Sequence, residues 1–309
     1  MRSIEFRAMG CDIAAFIDAE TPAAEQALRR LPGWFEEWEQ VFSRFRPDSE
    51  LNRLNAAAGT VQAVSPTLWQ GLGAALQAAH RTEGLVIPTV LTALEQAGYR
   101  ESFEKLRAGV LPSPPASPQG KTPPARWQDI QLDESMHTVC LPAGCRLDLG
   151  GSAKGWAAAE AARRLQAAGP ALVNAGGDIA VNAPRIGGQP WQVDISDPHN
   201  PDQALAALNL SVGGLATSGI DYRRWQVDGQ WRHHIIDPRS GAPAATDLLS
   251  VSVAAPDVLQ AEAAAKAVLI LGSQQGLDWL EAQPALAGLL VLSDGELLYS
   301  SRVLEILGE

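Results

Sequence analysis

Asp148-Leu149-Gly150-Gly151-Ser152-Ala153-Lys154-Gly155 is preceded by the strand-like Cys145-Arg146-Leu147 and followed by an alanine-rich run from Trp156 to Leu165. A strand feeds a glycine turn, the turn feeds an amphipathic helix, and one Asp and one Lys flank the turn. Glycines admit positive φ and let backbone N–H groups approach a ligand, while the helix N-terminus presents partial positive charge. This is the layout of an anion-binding loop, to which Lys154 adds a point charge. The spacing is neither Gly-x-Gly-x-x-Gly nor Walker A, so neither a Rossmann nor a P-loop reading is licensed. Taken alone, the stretch reads equally well as an ordinary strand-to-helix turn with a solvated lysine.

Working outward, Trp127 to Leu132 and His137 to Leu141 flank an Asp-Glu-Ser turn and read as a hairpin leading into the loop. Beyond it, 171–181 is a strand, a double-glycine turn at 176–177 and a second strand, and 191–195 continues the sheet. Strands at 205–210 and 213–217 surround a further glycine pair at 213–214. A hairpin about Asp228-Gly229 then enters His233-His234-Ile235-Ile236-Asp237-Pro238-Arg239-Ser240-Gly241. A β-rich run at 250–254, helices at 257–271 and 274–282, and a hairpin about Ser293-Asp294-Gly295 complete this half. Toward the N-terminus, 3–18 reads as a strand interrupted at Met9-Gly10. A helix capped by Thr21-Pro22 carries Leu28, Leu31, Trp34, Trp38 and Phe42 on one face, with a break or kink expected at Pro32-Gly33. Trp34 and Trp38, four residues apart, read as core. Asp48 or Ser49 caps a short helix, Ser65-Pro66 starts the helix 65–82, and another runs from Val90 to Gln96. Arg44, Arg46 and Arg53, with Asn55, suit either a solvated turn or contacts to a phosphate or ribose. Helices segregate from hairpin-linked strands, which predicts an α+β architecture with mixed, mostly antiparallel sheets and flanking helices.

The 309 residues carry 46% hydrophobic content and a formal net charge of −11, with no lysine- or arginine-rich block. That balance argues against nucleic acid as a partner. Cys11, Cys140 and Cys145 lack metal-ligand spacing and read as small buried residues of a reducing compartment. The N-terminus shows neither signal-peptide nor lipoprotein patterning, so a cytoplasmic location is expected. No run of about 18 apolar residues offers a membrane span. Residues 109–125 are rich in proline, an extended segment expected to join two lobes, 1–108 and 126–309, of one domain spanning 1–309.

Three glycine turns, at 150–151, 176–177 and 213–214, alternate with Asp148, Lys154, Asn174, Asp178, Ser218 and His234, which suggests loops gathered around one ligand. Asp-Leu-Gly-Gly-Ser-Ala-Lys-Gly at 148–155, Val-Asn-Ala-Gly-Gly-Asp at 173–178, Thr-Ser-Gly at 217–219 and His-His-Ile-Ile-Asp-Pro-Arg-Ser-Gly at 233–241 resemble the ApbE family of FAD:protein FMN transferases. Met9-Gly10, Phe42-Ser43-Arg44-Phe45, the stretch 48–55 and Pro88-Thr89-Val90 agree with it, so the resemblance spans residue 9 to about residue 272.

The resemblance implies an enzyme that binds FAD in a central cleft between two lobes. It would transfer FMN through a phosphoester bond to a Thr or Ser of an acceptor flavoprotein and release AMP. It makes His234 the catalytic base or nucleophile-orienting group, and Met9, Asn55, Asp148, Lys154, Asp178, Ser218 and Asp237 residues of the flavin site. By their chemistry alone, Asp237 also suits fixing the turn before Pro238, Asp178 holding a glycine loop, Lys154 capping one, and His234 a structural role at a strand end. The resemblance further implies Mg²⁺ at Ala153 and on a helix bearing Ala-Asp-Ala with Thr four residues after the Asp. Here the helix reads Ala261-Glu262-Ala263-Ala264-Ala265-Lys266, and an ammonium cannot ligate magnesium. Either Glu262 and Lys266 are an ordinary i,i+4 pair, or the lysine supplies the missing charge. Ile87 before Pro88-Thr89 and Cys11 depart from the family pattern too. Two other activities fit the same motifs: a non-catalytic FAD-binding relative, and an FAD pyrophosphatase yielding FMN and AMP. An adaptor built on the proline-rich segment leaves His234 and the glycine loops without a role.

Overall fold

The computed structural model describes residues 1–107, 125–227 and 229–308. The proline-rich segment 109–125, apart from Ala125, and Asp228 in the expected hairpin turn lie outside the described residues. The chain divides into two compact units, each assembled from separate stretches. The first comprises Met1–Glu36, Lys154–Asp221 and Thr246–Glu309, and the second Glu37–Ala153 and Tyr222–Ala245.

The first unit is built on an eight-stranded antiparallel sheet. Its strands, from edge to edge, are Arg2–Ala8, Cys11–Ile17, Ala171–Ala175, Asp178–Val181, Gly213–Gly219, Leu248–Ala255, Ala287–Leu292 and Leu297–Tyr299. Two of its hairpins close with two-residue turns. Ala8 pairs with Cys11 across Met9 (φ 52°) and Gly10 (φ 68°), and Ala175 pairs with Asp178 across Gly176 (φ 63°) and Gly177 (φ 95°). Positive φ at both central residues is the turn geometry that matches the strand twist, and glycine adopts it without strain. Met9 adopts it as a non-glycine, an uncommon conformation. At Gly176 the demand is doubled, because a Cβ there would stand 2.7 Å from the Cβ of Cys11.

Strand register then sets what meets what. Ile13 pairs with Ala175, Ala216 pairs with Asp178, and the Thr217 N–H donates to the Gly177 carbonyl at 3.2 Å. The turn at Met9, the turn at 176–177, Asp178 and Ser218 therefore share one end of the sheet. One face packs against the hairpin Trp191–Ser196 and Ala204–Leu210 through Leu172, Ile179, Val181, Leu215, Leu289 and Val291, which meet Trp191, Val193, Ile195 and Leu208. The helix Val258–Leu271 also packs on this sheet and is apolar nearly all round, as buried helices are.

The N-terminal helix Pro22–Phe42 begins as its sequence predicts, with the Thr21 hydroxyl accepting from the Ala24 N–H at 3.1 Å. Of the break or kink expected at Pro32-Gly33, the break is absent: the helix runs through an exposed Pro32. An internal proline costs about 3 kcal/mol. Leu28, Leu31, Phe35, Trp38 and Phe42, all buried, continue one apolar stripe past it and offset that cost. Trp38 is core as expected, while Trp34 is only half-buried, under the guanidinium of Arg164.

In the second unit, Ser49 caps the helix Glu50–Ala56 and Ser65 caps Pro66–Arg81. The Glu50 carboxylate ties the two together by accepting from the Ser65 N–H and hydroxyl, each at 2.6 Å. The hairpin before the glycine loop is shorter than its sequence suggests. Trp127–Asp129 is a single 3₁₀ turn, and only Gln131–Asp133 and Thr138–Cys140 pair, with Val61–Ala63 as a third strand. A second hairpin, Arg224–Val227 with Gln230–His233, is anchored by Trp225, which stacks on Tyr99 at 5.0 Å and donates to the Ala97 carbonyl at 2.9 Å. The architecture is α+β with mostly antiparallel sheets.

Candidate active site

In the second unit the entry to the glycine loop is held by side chains acting as strand partners. Asn55 donates to the Leu147 carbonyl at 2.9 Å and accepts from the Leu147 N–H at 2.7 Å. The Asp148 N–H donates to the Pro88 carbonyl, one carboxylate oxygen accepts from the Gly150 N–H at 2.9 Å, and the other accepts from Arg44 Nε at 2.8 Å. Both side chains of that ion pair are nearly buried. Arg44 also donates to the Tyr99 carbonyl at 2.8 Å and lies over the rings of Phe45 and Tyr99. Arg46 reaches Glu39 and Gln40, and Arg53 donates to the Asp48 carbonyl. Of the two readings open for these arginines, the structure shows contacts to protein acceptors.

The two adjacent histidines differ in their surroundings. His233 Nε2 bonds the Ala244 carbonyl at 3.0 Å, which makes it the protonated nitrogen, while Nδ1 is buried with no hydrogen-bond partner among the described residues. Burial lowers the His233 pKa, so this ring is neutral at pH 7. His234, the next residue, is half-buried. Asp237 fixes the following turn: its carboxylate accepts from the Arg239 N–H at 2.9 Å and from the Arg239 guanidinium at 2.9 to 3.2 Å, and its carbonyl accepts from the Gly241 N–H.

In the first unit four charged residues from separate elements meet. Lys154 stands one residue into the helix Ala153–Leu165, Asp178 opens its strand, and Glu262 and Lys266 lie one turn apart on Val258–Leu271. Lys154 Nζ bonds Asp178 and stands 3.8 Å from Glu262 Oε1, which Lys266 Nζ approaches to 3.0 Å. Glu262 Oε2 accepts from the Gly155 N–H at 3.2 Å. Glycine at 155 leaves room for this contact, since a Cβ would stand 2.4 Å from that oxygen and the Glu262 carboxylate would have to shift. Glu262 and Asp178 are both 1% exposed. Lys154 is thus directed at carboxylates, and Glu262–Lys266 is a buried pair rather than a surface one.

These residues do not suit magnesium. Both oxygens of Glu262 are engaged by nitrogen donors, one of them the ammonium of Lys266, whereas Mg²⁺ wants near-octahedral oxygen ligands. Ala153 could offer a cation only its backbone carbonyl. No group of three or more His, Cys, Asp or Glu suited to a metal occurs among the described residues.

Burial first, then the charge of Asp178, pushes the Glu262 pKa up to about 7, against the pull of Lys266 and Lys154. A carboxyl whose folded pKa is raised stabilises the fold fully below its unfolded pKa and loses that contribution as pH rises through the folded value. Stability from this group should therefore fall, by on the order of a few kcal/mol, as pH climbs from the ordinary carboxylate range through about 7. His233, with its lowered pKa, contributes the opposite slope as pH falls through 6.5. Comparing urea midpoints of the wild type and Glu262→Gln between pH 5 and pH 8 separates the two. The difference between the proteins should vary with pH, and a constant difference would contradict the assignment.

The fold is that of solved ApbE proteins. It superposes on the Thermotoga maritima ApbE protein with a TM-score of 0.82 at 25% identity, covering 100% of this chain and 99% of that one. It matches the apo Pseudomonas stutzeri flavinyl transferase ApbE with a TM-score of 0.80 at 23% identity, covering 100% and 97%. The family model described as the ApbE family matches residues 9–290. The FAD:protein FMN transferase of Treponema pallidum (strain Nichols) is 32% identical over 308 residues, covering 93% of this chain and 83% of the relative. That of Salmonella typhimurium (strain LT2) is 27% identical over 287 residues, covering 91% and 80%. The chain belongs to the ApbE family.

Proposed function

We propose that this chain is an FAD:protein FMN transferase. It takes FAD as substrate and transfers FMN to a Thr or Ser hydroxyl of an acceptor flavoprotein. The acceptor oxygen bonds to the FMN phosphorus, the bond from that phosphorus to the bridging oxygen breaks, and AMP leaves with the bridging oxygen. His234 accepts the hydroxyl proton, the task of a positioned general base. Asp148, held by Arg44 and Gly150, and Asn55 shape the loop after Leu147, while Met9, Asp178 and Ser218 form one end of the sheet. Lys154 and Asp237 act through the groups they hold. The observation that carries the reading is the family match over residues 9–290, with its relatives sharing one activity.

The magnesium implied by the motif is left out of this reading, since the Glu262 donor set does not fit it. Among the described residues no helix is long and apolar enough to cross a membrane. A cytoplasmic site of action is part of the proposal, supported by three cysteines that all remain free thiols.

The test incubates purified protein with FAD and a flavin-accepting protein, reading AMP by chromatography and acceptor mass by mass spectrometry. AMP and an acceptor heavier by one FMN group, in equal amounts, are expected. AMP with only free FMN would replace transfer by hydrolysis. FAD retained without AMP would leave a flavin-binding protein.

A further inference from the structure

We infer that Lys266 is a built-in counter-ion which closes the buried carboxylate cluster to divalent metal, so that this chain works without one. Asp178 and Glu262 contribute two negative charges and Lys154 and Lys266 two positive ones, all on side chains 15% exposed or less. With both carboxyls ionised the cluster is neutral. A divalent cation entering it would leave two positive charges uncompensated in a water-poor site, and Lys266 would have to withdraw from Glu262 Oε1 or lose its proton.

Geometry agrees with charge. Glu262 Oε1 faces Lys266 at 3.0 Å and Lys154 at 3.8 Å, and Oε2 is turned to the Gly155 N–H at 3.2 Å, so neither oxygen is left for a cation. The pair is also pre-set by the helix, where residues four apart lie on one face and a glutamate preceding a lysine is the favourable order. An oxygen-bearing side chain at 266 would have the opposite effect. It would free Glu262 Oε1, leave the cluster one unit negative, and place a ligand beside the carboxylate.

The inference rests on the transferase reading only for its catalytic consequence, which is AMP formation unaffected by EDTA. Its direct test is metal binding, which needs no turnover. Mn²⁺ is titrated into the wild type, Lys266→Thr and Lys266→Met, followed by the electron paramagnetic resonance of free Mn²⁺ and by melting temperature. The wild type should show no saturable binding in the millimolar range and no melting shift. Lys266→Thr should bind at least tenfold more tightly than the wild type, and Lys266→Met more weakly than Lys266→Thr because it frees charge without adding a ligand. Saturable wild-type binding abolished by Glu262→Gln would overturn the inference, as would Lys266→Thr binding no more tightly than the wild type. Should Lys266→Thr not fold, Lys266→Met decides in its place: it should bind Mn²⁺ more tightly than the wild type, and equal or weaker binding would overturn the inference. Absence of AMP under every condition counts against the transferase reading and leaves the Mn²⁺ result standing.

Discussion

His234→Ala should lose about 10²–10⁴-fold in the rate of FMN transfer and AMP release while still binding FAD, because removing a positioned acid–base group costs that much. The neighbouring histidine makes the prediction sharp. His233 is tied by Nε2 to the Ala244 carbonyl at 3.0 Å, and burial holds its ring neutral. His233→Ala leaves the buried Ala244 carbonyl without its donor, at a cost of about 1–3 kcal/mol, so stability should fall by that order while transfer persists. Single-turnover AMP formation, with FAD affinity measured by fluorescence quenching, compares the two variants directly. If His234→Ala retains wild-type rates, or if both variants lose activity equally, the assignment of the base to His234 is wrong.

Much of the fold was legible because its hairpins announce themselves chemically. Met9-Gly10 and Gly176-Gly177 sit where two-residue turns need positive φ, and alternating apolar runs on either side define the strands. The caps at Thr21 and Ser65 are equally readable, and of the two candidates Asp48 and Ser49 the structure selects Ser49. Pro32 misled for a physical reason. Local propensity favours a break there, but burial of Leu28, Leu31, Phe35 and Trp38 on both sides decides in favour of continuity.

The site was legible in its residue types and less so in their pairings. The sequence brings Glu262 and Lys266 together, since i,i+4 spacing on a helix is local information. That Lys154 and Asp178 join them depends on how the sheet strand and two helices pack, and those partners lie 24 to 108 residues from Lys154. Burial of the whole group is a tertiary property as well, and it turns a pair of minor surface value into a coupled cluster. Arg44 shows the same limit. Its position among arginines suits a solvated turn or a phosphate contact equally, whereas its partner Asp148 lies in the glycine loop itself. His233 and His234 are indistinguishable as adjacent letters, and the bond from His233 to the Ala244 carbonyl is a tertiary contact that the sequence does not announce.

Gly214→Ala should be the most damaging substitution of a single small residue in the first unit, destabilising it by about 3 kcal/mol or more. A Cβ at 214 would stand 2.3 Å from both the Cα and the N of Val258. These are backbone atoms, so no rotamer change relieves the overlap, and the strand Gly213–Gly219 and the helix Val258–Leu271 must separate. The strand cannot yield easily, because Gly214 is paired with Ala180 on one side and Ala255 on the other. The helix start is equally fixed, with the Asp257 carboxylate accepting from the Gln260 N–H at 2.8 Å. Movement would therefore be carried along the helix to Glu262 and Lys266, one and two turns further on, and would stretch the 3.2 Å bond from Gly155 to Glu262. Loss of stability and loosening of the charged cluster should appear together, the second as a weaker dependence of the unfolding midpoint on pH above 5. Gly33→Ala is the internal contrast. That glycine is exposed within the helix Pro22–Phe42 with nothing within 4 Å of an added Cβ, so alanine should stabilise by about 1 kcal/mol through helix propensity alone. Urea unfolding of both variants measures the pair. Equal midpoints for Gly214→Ala and the wild type would mean that the helix and the sheet are not pressed together at this point, and the rigid placement of Glu262 would then need another cause.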